Sequence, residues 1–453
     1  MNVHFIAVGG SAMHSLALAL ATREGVRVTG SDDAIFEPSR SRLLAAGLLP
    51  DQEGWFPERI HAGLDAVVLG MHARADNPEL LRAQELGLPV YSYPEYVQKA
   101  CERQTRVVVG GSHGKTTTTS MLLHVLKYWD RLPDYLVGAQ VPGLDASVRL
   151  RGIDDWAVFE GDEYLASPLD PRPKFHLYKA HVGLITGMAW DHVNVFPTQE
   201  AYADAFRGFL ASMEPGGTLL YFEEDAELAA LVAADTSPIR KIPYRTPDHR
   251  HEGMQWYWKT PMGELPMSVM GRHNLANAEG ARWLAQEMGI QEADFYEAIA
   301  SFQGAQRRLE PLADSPRRAA YLDFAHAPSK VAATTAAFAE SFGNRPVWGL
   351  LELHTFSSLN PDFLPGYAGS LDGLDRAMVL FDPAAVAHKK LPPLAPEAVQ
   401  AACGPRVEVF TDAAELRAVL ERDAPDELNL LIMSSGNLGG WDVRQWAPTF
   451  VSN

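Results

Sequence analysis

Cysteine is nearly absent from the chain: Cys101 and Cys403 are the only two in 453 residues. That excludes a disulfide scaffold and a cysteine-rich zinc site, and it suits a reducing compartment. A basic excess is missing as well. The chain has 39 lysines and arginines against 57 aspartates and glutamates, a net charge of −18. Such a surface disfavours nucleic acid and favours solubility, yet a cleft can still hold an anionic ligand, because local fields override the global sign. No apolar run reaches the roughly 18 residues that cross a bilayer. The N-terminus, Met1-Asn2-Val3-His4-Phe5-Ile6, enters a strand-like run without a basic leader. The expectation is a soluble cytoplasmic protein with no nucleic-acid or membrane partner and no evident protein partner. Internal repeats and low-complexity tracts are lacking too. Pro392–Pro396 is the one proline-rich patch, and it reads as a loop.

What is present is an alternation of apolar runs and helical patterns. At 47% hydrophobic and 21% charged, the composition is ordinary for globular proteins, and the length suggests about three domains. Val3–Val8, Val26–Gly30 and Ala66–Leu69 read as buried strands, with a helix over 12–22 and another opened by Asn77-Pro78. A second unit begins near Arg106. Its strand at Val107–Val109 leads into a glycine loop and a helix over 115–129, and further strands follow at 156–159, 182–186 and 218–222. Residues 255–270 alternate like a hairpin. Helices are predicted over 274–288 and 292–302. A third unit begins near Pro311, with strands at 320–324, 347–351, 377–381, 407–410 and 428–433. This βα alternation predicts an α/β protein with parallel sheets, divided as 1–105, 106–310 and 311–453.

The strongest motif is Gly110-Gly111-Ser112-His113-Gly114-Lys115-Thr116-Thr117, set between a strand and a helix. Glycines let backbone N–H groups close on phosphate oxygens, and the helix N-terminus adds partial positive charge. Lys115 supplies a point charge, and the Thr116 hydroxyl suits Mg²⁺. The common pattern would place glycine at 109, where Val109 stands. Glu160-Gly161-Asp162-Glu163 ends a strand, which fits a Mg²⁺ ligand as well as an acidic surface loop. Asp191-His192 follows another strand; by itself a lone histidine reads as structural, and imidazole is a poor Mg²⁺ ligand. Gly9, Gly10 and Ser11 form a turn that fits a diphosphate, although Gly-x-Gly-x-x-Gly is not satisfied. Asp32 ends the second strand, where a ribose-binding acid lies in nucleotide-binding folds. A tight structural turn explains that region equally well.

These residues resemble the Mur ligases, which join amino acids or peptides to UDP-N-acetylmuramate. Gly111–Thr117 is similar to the family's phosphate loop, Phe5–Met13 and Gly30–Asp32 to its UDP-binding domain, and Asp76–Glu79 to a later part of that domain. Glu160–Tyr164 and Asp191-His192 resemble its acidic and second metal motifs. Arg272–Asn277 resembles the adenine-side helix, Arg307–Glu310 the joint into the C-terminal domain, and Asp323–Pro328 the segment that opens it. The resemblance implies a Rossmann-like UDP-binding domain, a central phosphate-loop ATPase domain and a Rossmann-like C-terminal domain that takes the peptide. It implies ATP and Mg²⁺ as cofactors. Catalysis falls to Lys115, Glu160 and His192. ATP contacts fall to Gly111, Ser112, His113, Gly114, Lys115, Thr116, Thr117, Asn274, Asn277, Arg308, Asp323 and His326. Thr116, Glu160 and His192 would hold the metal, and Gly9, Gly10, Ser11, Asp32, His72 and Arg74 the UDP-sugar.

Within the family, Gly161–Tyr164, Pro173–Tyr178, Asp191–Phe196 and Met433–Gly440 favour the murein peptide ligase branch. That branch attaches L-Ala-γ-D-Glu-meso-diaminopimelate to UDP-N-acetylmuramate through an acyl phosphate. The alanine-adding branch usually has Ser-Asp where this chain has Tyr164-Leu165, and arginines where it has Glu352-Leu353-His354-Thr355-Phe356-Ser357. Lys174 and Lys179 lie where some branches carry a carbamylated lysine, and neither matches that position. The remaining alternatives are alanine addition to UDP-N-acetylmuramate, a non-catalytic UDP-muramate-binding protein, and an NAD-type oxidoreductase. The last leaves the loop at 110–117 unexplained.

Overall fold

Apolar runs such as Ala66–Leu69 and Val182–Ile185 become strands buried along their whole length, the pattern of parallel strands covered on both faces. The computed structural model describes residues 1–138, 141, 143–191, 195–252, 255–304, 309–342 and 345–452. The chain divides into two units. One comprises Met1–Met188, Ala203–Tyr244 and Gly280–Gln291; the other comprises Ala189–Tyr202, Arg245–Glu279 and Glu292–Asn453. No helix among the described residues is long and apolar enough to cross a membrane.

The first unit opens with β1 (Asn2–Ile6), α1 (Ser11–Ala21), β2 (Arg27–Ser31), α2 (Ser39–Ala45), β3 (Ala66–Leu69), α3 (Pro78–Glu85), β4 (Val90–Ser92) and α4 (Tyr93–Ala100). The strands form a parallel sheet in the order β2-β1-β3-β4. Their C-terminal ends therefore share one edge, from which the segments 7–10, 32–38 and 70–77 leave. Asn77 caps α3, its side chain accepting from the N–H groups of Glu79 and Leu80, and Pro78 occupies the first turn. Glu79 is fully buried. Its carboxylate lies 3.3 Å from His4 Nε2 and accepts the Phe56 N–H at 2.7 Å, while His4 Nδ1 meets Thr29 Oγ1 at 2.8 Å. The segment Asp76–Glu79 thus ties α3 to β1, β2 and the 55–59 segment.

The same unit holds β5 (Thr105–Gly110), α5 (Lys115–Tyr128), β6 (Asp134–Leu136), β7 (Val148–Arg149), β8 (Trp156–Glu160), a hairpin of β9 (Leu165–Ser167) and β10 (Asp170–Pro173), β11 (Val182–Ile185), β12 (Thr218–Phe222) and β13 (Arg240–Tyr244). Seven of these strands form one sheet in the order β13-β12-β11-β5-β8-β6-β7, parallel except for β7. β5 is central, between β11 and β8.

The second unit contains an antiparallel sheet of β14 (His249–Glu252), β15 (Gln255–Thr260) and β16 (Gly263–Met267). The predicted hairpin is present, extended by β14. The six-stranded sheet comprises β17 (Glu310–Asp314), β18 (Arg318–Asp323), β19 (Val347–Leu353), β20 (Arg376–Phe381), β21 (Val407–Phe410) and β22 (Leu428–Met433), in the order β17-β18-β22-β19-β20-β21. Only β17 is antiparallel to its neighbour. Every residue of β19 and β22 is buried. Pro396 does not end a loop, as the proline patch suggested. It begins the helix Pro396–Cys403, because a first-turn proline removes only an N–H that had no helical partner.

Glu79→Ala would leave His4 and the Phe56 N–H buried without their acceptor. The expected loss is about 2–5 kcal/mol of local stability, read as faster hydrogen exchange of β1 amides and a lower melting temperature. A melting curve and exchange pattern matching the parent would show that this buried pair carries no weight.

Candidate active site

The loop after β5 is shaped by two glycines in the left-handed region, Gly111 at φ +127° and Gly114 at φ +75°. A Cβ on Gly111 would collide with Thr186 Oγ1 and lie 2.9 Å from the Thr186 nitrogen, so only glycine fits there. The Thr186 hydroxyl donates to the His113 carbonyl, and Ser112 N–H donates to Gly187 O at 3.0 Å. Asp225 in turn holds the 187–188 turn by accepting Met188 N–H at 2.6 Å. The loop is thereby clamped onto the end of β11. No side chain caps α5 at Gly114, which suits a helix N-terminus that receives a phosphate.

The other flank is β8, whose register pairs Val109 with Glu160. That pairing puts the acidic motif beside the loop. Lys115 Nζ donates to Glu163 Oε2 and to Gly111 O, both at 2.6 Å. The Glu163 side chain is fully buried, and that of Lys115 is nearly so. Burial is the largest influence on the Lys115 ammonium and pulls its pKa down. Glu163, Asp162 and Glu160 together outweigh burial and hold it above the ordinary lysine value, so the lysine keeps its charge. Thr116 Oγ1 donates to Glu160 Oε1 at 2.7 Å, and Gly138 N–H donates to Glu160 Oε2 at 2.7 Å.

A hydroxyl and a carboxylate are hard oxygen donors of the kind Mg²⁺ takes, and here they converge. Among the described residues no group of three His, Cys, Asp or Glu is arranged to hold a metal. A charged lysine, open helical N–H groups and this donor pair can bind and neutralise a nucleotide triphosphate. Lys174 Nζ pairs with Asp162 Oδ2 at 2.6 Å.

At the C-terminal edge of the first sheet, Gly9 N–H donates to Asp32 Oδ2 at 2.6 Å. Burial, against the Gly9 and Ala34 N–H bonds, raises the Asp32 carboxyl above the usual range, with Asp33 adding to the rise. Asp32 therefore braces the turn. Gly10 and Ser11 open α1 with no side-chain cap. His72 and Arg74 leave the same edge after β3 and are exposed; Arg74 pairs with Asp76 at 3.1 Å.

In the second unit, Asn274 Nδ2 donates to Met270 O at 2.8 Å, and Asn277 Nδ2 reaches Asn274 Oδ1 at 3.5 Å. The buried Asp323 carboxylate accepts from Leu309 N–H at 2.8 Å, Ala325 N–H at 2.7 Å and the Thr334 hydroxyl at 3.3 Å. These bonds fix the joint at 309 to the end of β18. His326 Nδ1 meets Phe324 O at 2.8 Å. Asp191 pairs with Lys330 at 3.6 Å. His192 and Arg308 lie outside the described residues. The motif reading missed Glu163 as the lysine's partner, together with Gly138, Thr186 and Asp225. Glu163 stood inside a quoted motif; the other three carry no signal until the strands are paired.

Profile comparison matches residues 2–105 to "Mur ligase family, catalytic domain" and residues 155–285 to "Mur ligase middle domain". The chain is 34% identical over 397 residues to a UDP-N-acetylmuramate–L-alanine ligase of Paenarthrobacter aurescens (strain TC1), covering 84% of this chain and 82% of that protein. A solved murein peptide ligase from Psychrobacter arcticus superposes with a TM-score of 0.65 at 22% identity, covering 100% of this chain and 99% of the other. A UDP-N-acetylmuramate–alanine ligase from Thermotoga maritima gives a TM-score of 0.68 at 20% identity, covering 97% and 96%. At these identities the two structural likenesses show a shared three-domain fold.

Lys115→Ala should reduce ATP-dependent phosphate release by about 100-fold or more, by analogy with the ~2.7–4 kcal/mol lost with one charge-stabilising donor. Near-parental turnover would remove Lys115 from the chemistry. Thr116→Ala and Glu160→Gln should each shift the Mg²⁺ titration of activity to higher concentration; unmoved curves in both would place the metal elsewhere.

Proposed function

The chain belongs to the Mur ligase family of ATP-dependent, amide-forming enzymes, and we propose that it joins L-Ala-γ-D-Glu-meso-diaminopimelate to UDP-N-acetylmuramate in the cytoplasm. One observation carries the choice of amine substrate. The segment Glu352–Ser357 holds no arginine or lysine and begins with a carboxylate on β19. Glu352 is buried; it accepts the Ser434 hydroxyl and the Leu438 N–H, the latter at 2.9 Å, and lies 4.0 Å from His354 Nδ1. A pocket for free alanine needs a cation for the alanine carboxylate, since a buried unpaired carboxylate is costly. A tripeptide presents an amide at that place and carries its carboxylates further out. The Paenarthrobacter relative, named for alanine addition, favours the second reading, in which free L-alanine is the acceptor.

In the proposed mechanism, the lactyl carboxylate of the sugar attacks the γ-phosphorus of ATP; the new O–P bond replaces the bond to the β,γ-bridging oxygen, ADP leaves, and an acyl phosphate is formed. The peptide's amine then attacks the carbonyl carbon. The new C–N bond replaces the C–O bond to phosphate, and the amine loses a proton. Both steps crowd anions together, so positive charge must come first. Lys115 would turn from Glu163 to the phosphates. Mg²⁺ would be held through Thr116 and Glu160, with His192 as its neighbour, and would neutralise phosphate charge. Gly9, Gly10, Ser11, Asp32, His72 and Arg74 would form the UDP-sugar site. Domain limits near 105 and 310 accompany this reading.

The amine is the same alanyl nitrogen in every candidate acceptor, so selectivity must come from binding the rest of the molecule. For the tripeptide, kcat/KM should exceed that for L-alanine by at least about tenfold, with L-Ala-γ-D-Glu between them. Equal or higher efficiency with L-alanine would overturn the tripeptide assignment and leave alanine addition.

A further inference from the structure

Glu352 ends β19 beside the segment that leaves β22, at the C-terminal edge of the six-stranded sheet. There β22 lies between β18 and β19, so the connection from β18 to β19 crosses it. Open α/β sheets bind ligands outside the strand ends at such crossings. The main chain from Ser434 to Leu438 spends alternate donors on the protein. Ser434 N–H donates to Asp323 O at 2.9 Å, Gly436 N–H to Ser434 Oγ at 3.0 Å and Leu438 N–H to Glu352 Oε1 at 2.9 Å. The N–H groups between them, those of Ser435 and Asn437, donate to nothing among the described residues. The buried Ser435 hydroxyl has no partner there either.

Glu352 holds this segment in place. Its second oxygen accepts the Ser434 hydroxyl. Gly436 has no room for a side chain, since a Cβ would lie 2.7 Å from Glu352 Oε2 and 2.6 Å from His354 Cγ. Leu438 holds φ +52°, uncommon for a residue with a Cβ, and its bond to Glu352 secures that turn. Glu352 is 4% exposed and pairs with no lysine or arginine among the described residues; His354 Nδ1 stands 4.0 Å from its carboxylate. We propose that Glu352 is a positioning and specificity-determining residue for the acceptor. It presents the N–H groups of Ser435 and Asn437 to the carbonyl oxygens of a peptide, main-chain donors meeting main-chain acceptors. Its charge repels the carboxylate that a free amino acid would bring to the same place, whereas a neutral amide meets the donors without that repulsion. The inference rests on the tripeptide reading of the acceptor.

The test compares L-alanine with L-alaninamide, which has the same amine and methyl group but a neutral amide in place of the carboxylate. With the full parent chain, kcat/KM should be about tenfold higher for L-alaninamide, within the reach of one like-charge contact. Glu352→Gln keeps an acceptor for the Leu438 N–H and loses the charge. Its L-alaninamide to L-alanine ratio should fall to about threefold or less, through a rise in L-alanine efficiency, with the tripeptide KM within about threefold of the parent. Glu352→Ala loses the acceptor as well and should raise the tripeptide KM about tenfold, with kcat less affected. An equal parental efficiency for the two small acceptors, a parental ratio in Glu352→Gln, or a parental tripeptide KM in Glu352→Ala would overturn the proposal. If Glu352→Ala does not fold, the ratio in Glu352→Gln alone decides. A parent that uses L-alanine better than the tripeptide would overturn the underlying tripeptide reading instead.

Discussion

A buried ion pair, Lys115 with Glu163, organises the phosphate site. A carboxylate with no solvent exposure is strongly destabilising unless it is paired, and the lysine beside it meets that need at 2.6 Å. The same pairing keeps the lysine charged in a place where burial alone would favour the neutral form. The site therefore holds a ready cation without a bound anion. On the proposed reading, an incoming phosphate would compete with Glu163 for a charge that already exists, and no proton would have to be gathered first.

The pair depends on the register of three strands. β5 carries the glycine loop, β8 on one side brings Glu160 level with Val109, and β11 on the other supplies Thr186 and Gly187. A slip of one residue along β8 would turn Glu160 to the opposite face of the sheet and break its contact with Thr116. The unbroken burial of Val107–Val109 and Ala157–Phe159 makes such a slip costly. The chemistry of the loop is in this way fixed by the packing of apolar side chains that take no part in it.

Much of this was legible in the sequence. Apolar runs such as Val347–Leu351 and Leu428–Met433 read as strands and are such, because burial on both faces favours mostly apolar residues. The glycine loop and the Asn77-Pro78 helix start were legible because special backbone geometry restricts the residue choice to a few. β6, β7 and β13 were not. They are two to five residues long, and their pairing is decided by neighbours distant in sequence. Side-chain partnerships were the least legible. Glu79 stood in a segment read only as a helix start and a family resemblance, and its carboxylate serves His4 and Phe56. Asp32 stood where a ribose would be met, yet one oxygen braces Gly9. Spacing names the candidates at a sheet edge, and only the folded chain decides which of them face one another.

The central claim is that a charge held at this loop drives amide formation at the expense of ATP. The most direct measurement follows phosphate release and product mass together, in one reaction containing ATP, Mg²⁺, UDP-N-acetylmuramate and the tripeptide. The account predicts one phosphate per product and a product mass equal to the two substrates less one water. Phosphate released at full rate without the amine or the sugar, or release with no product of that mass, would contradict it.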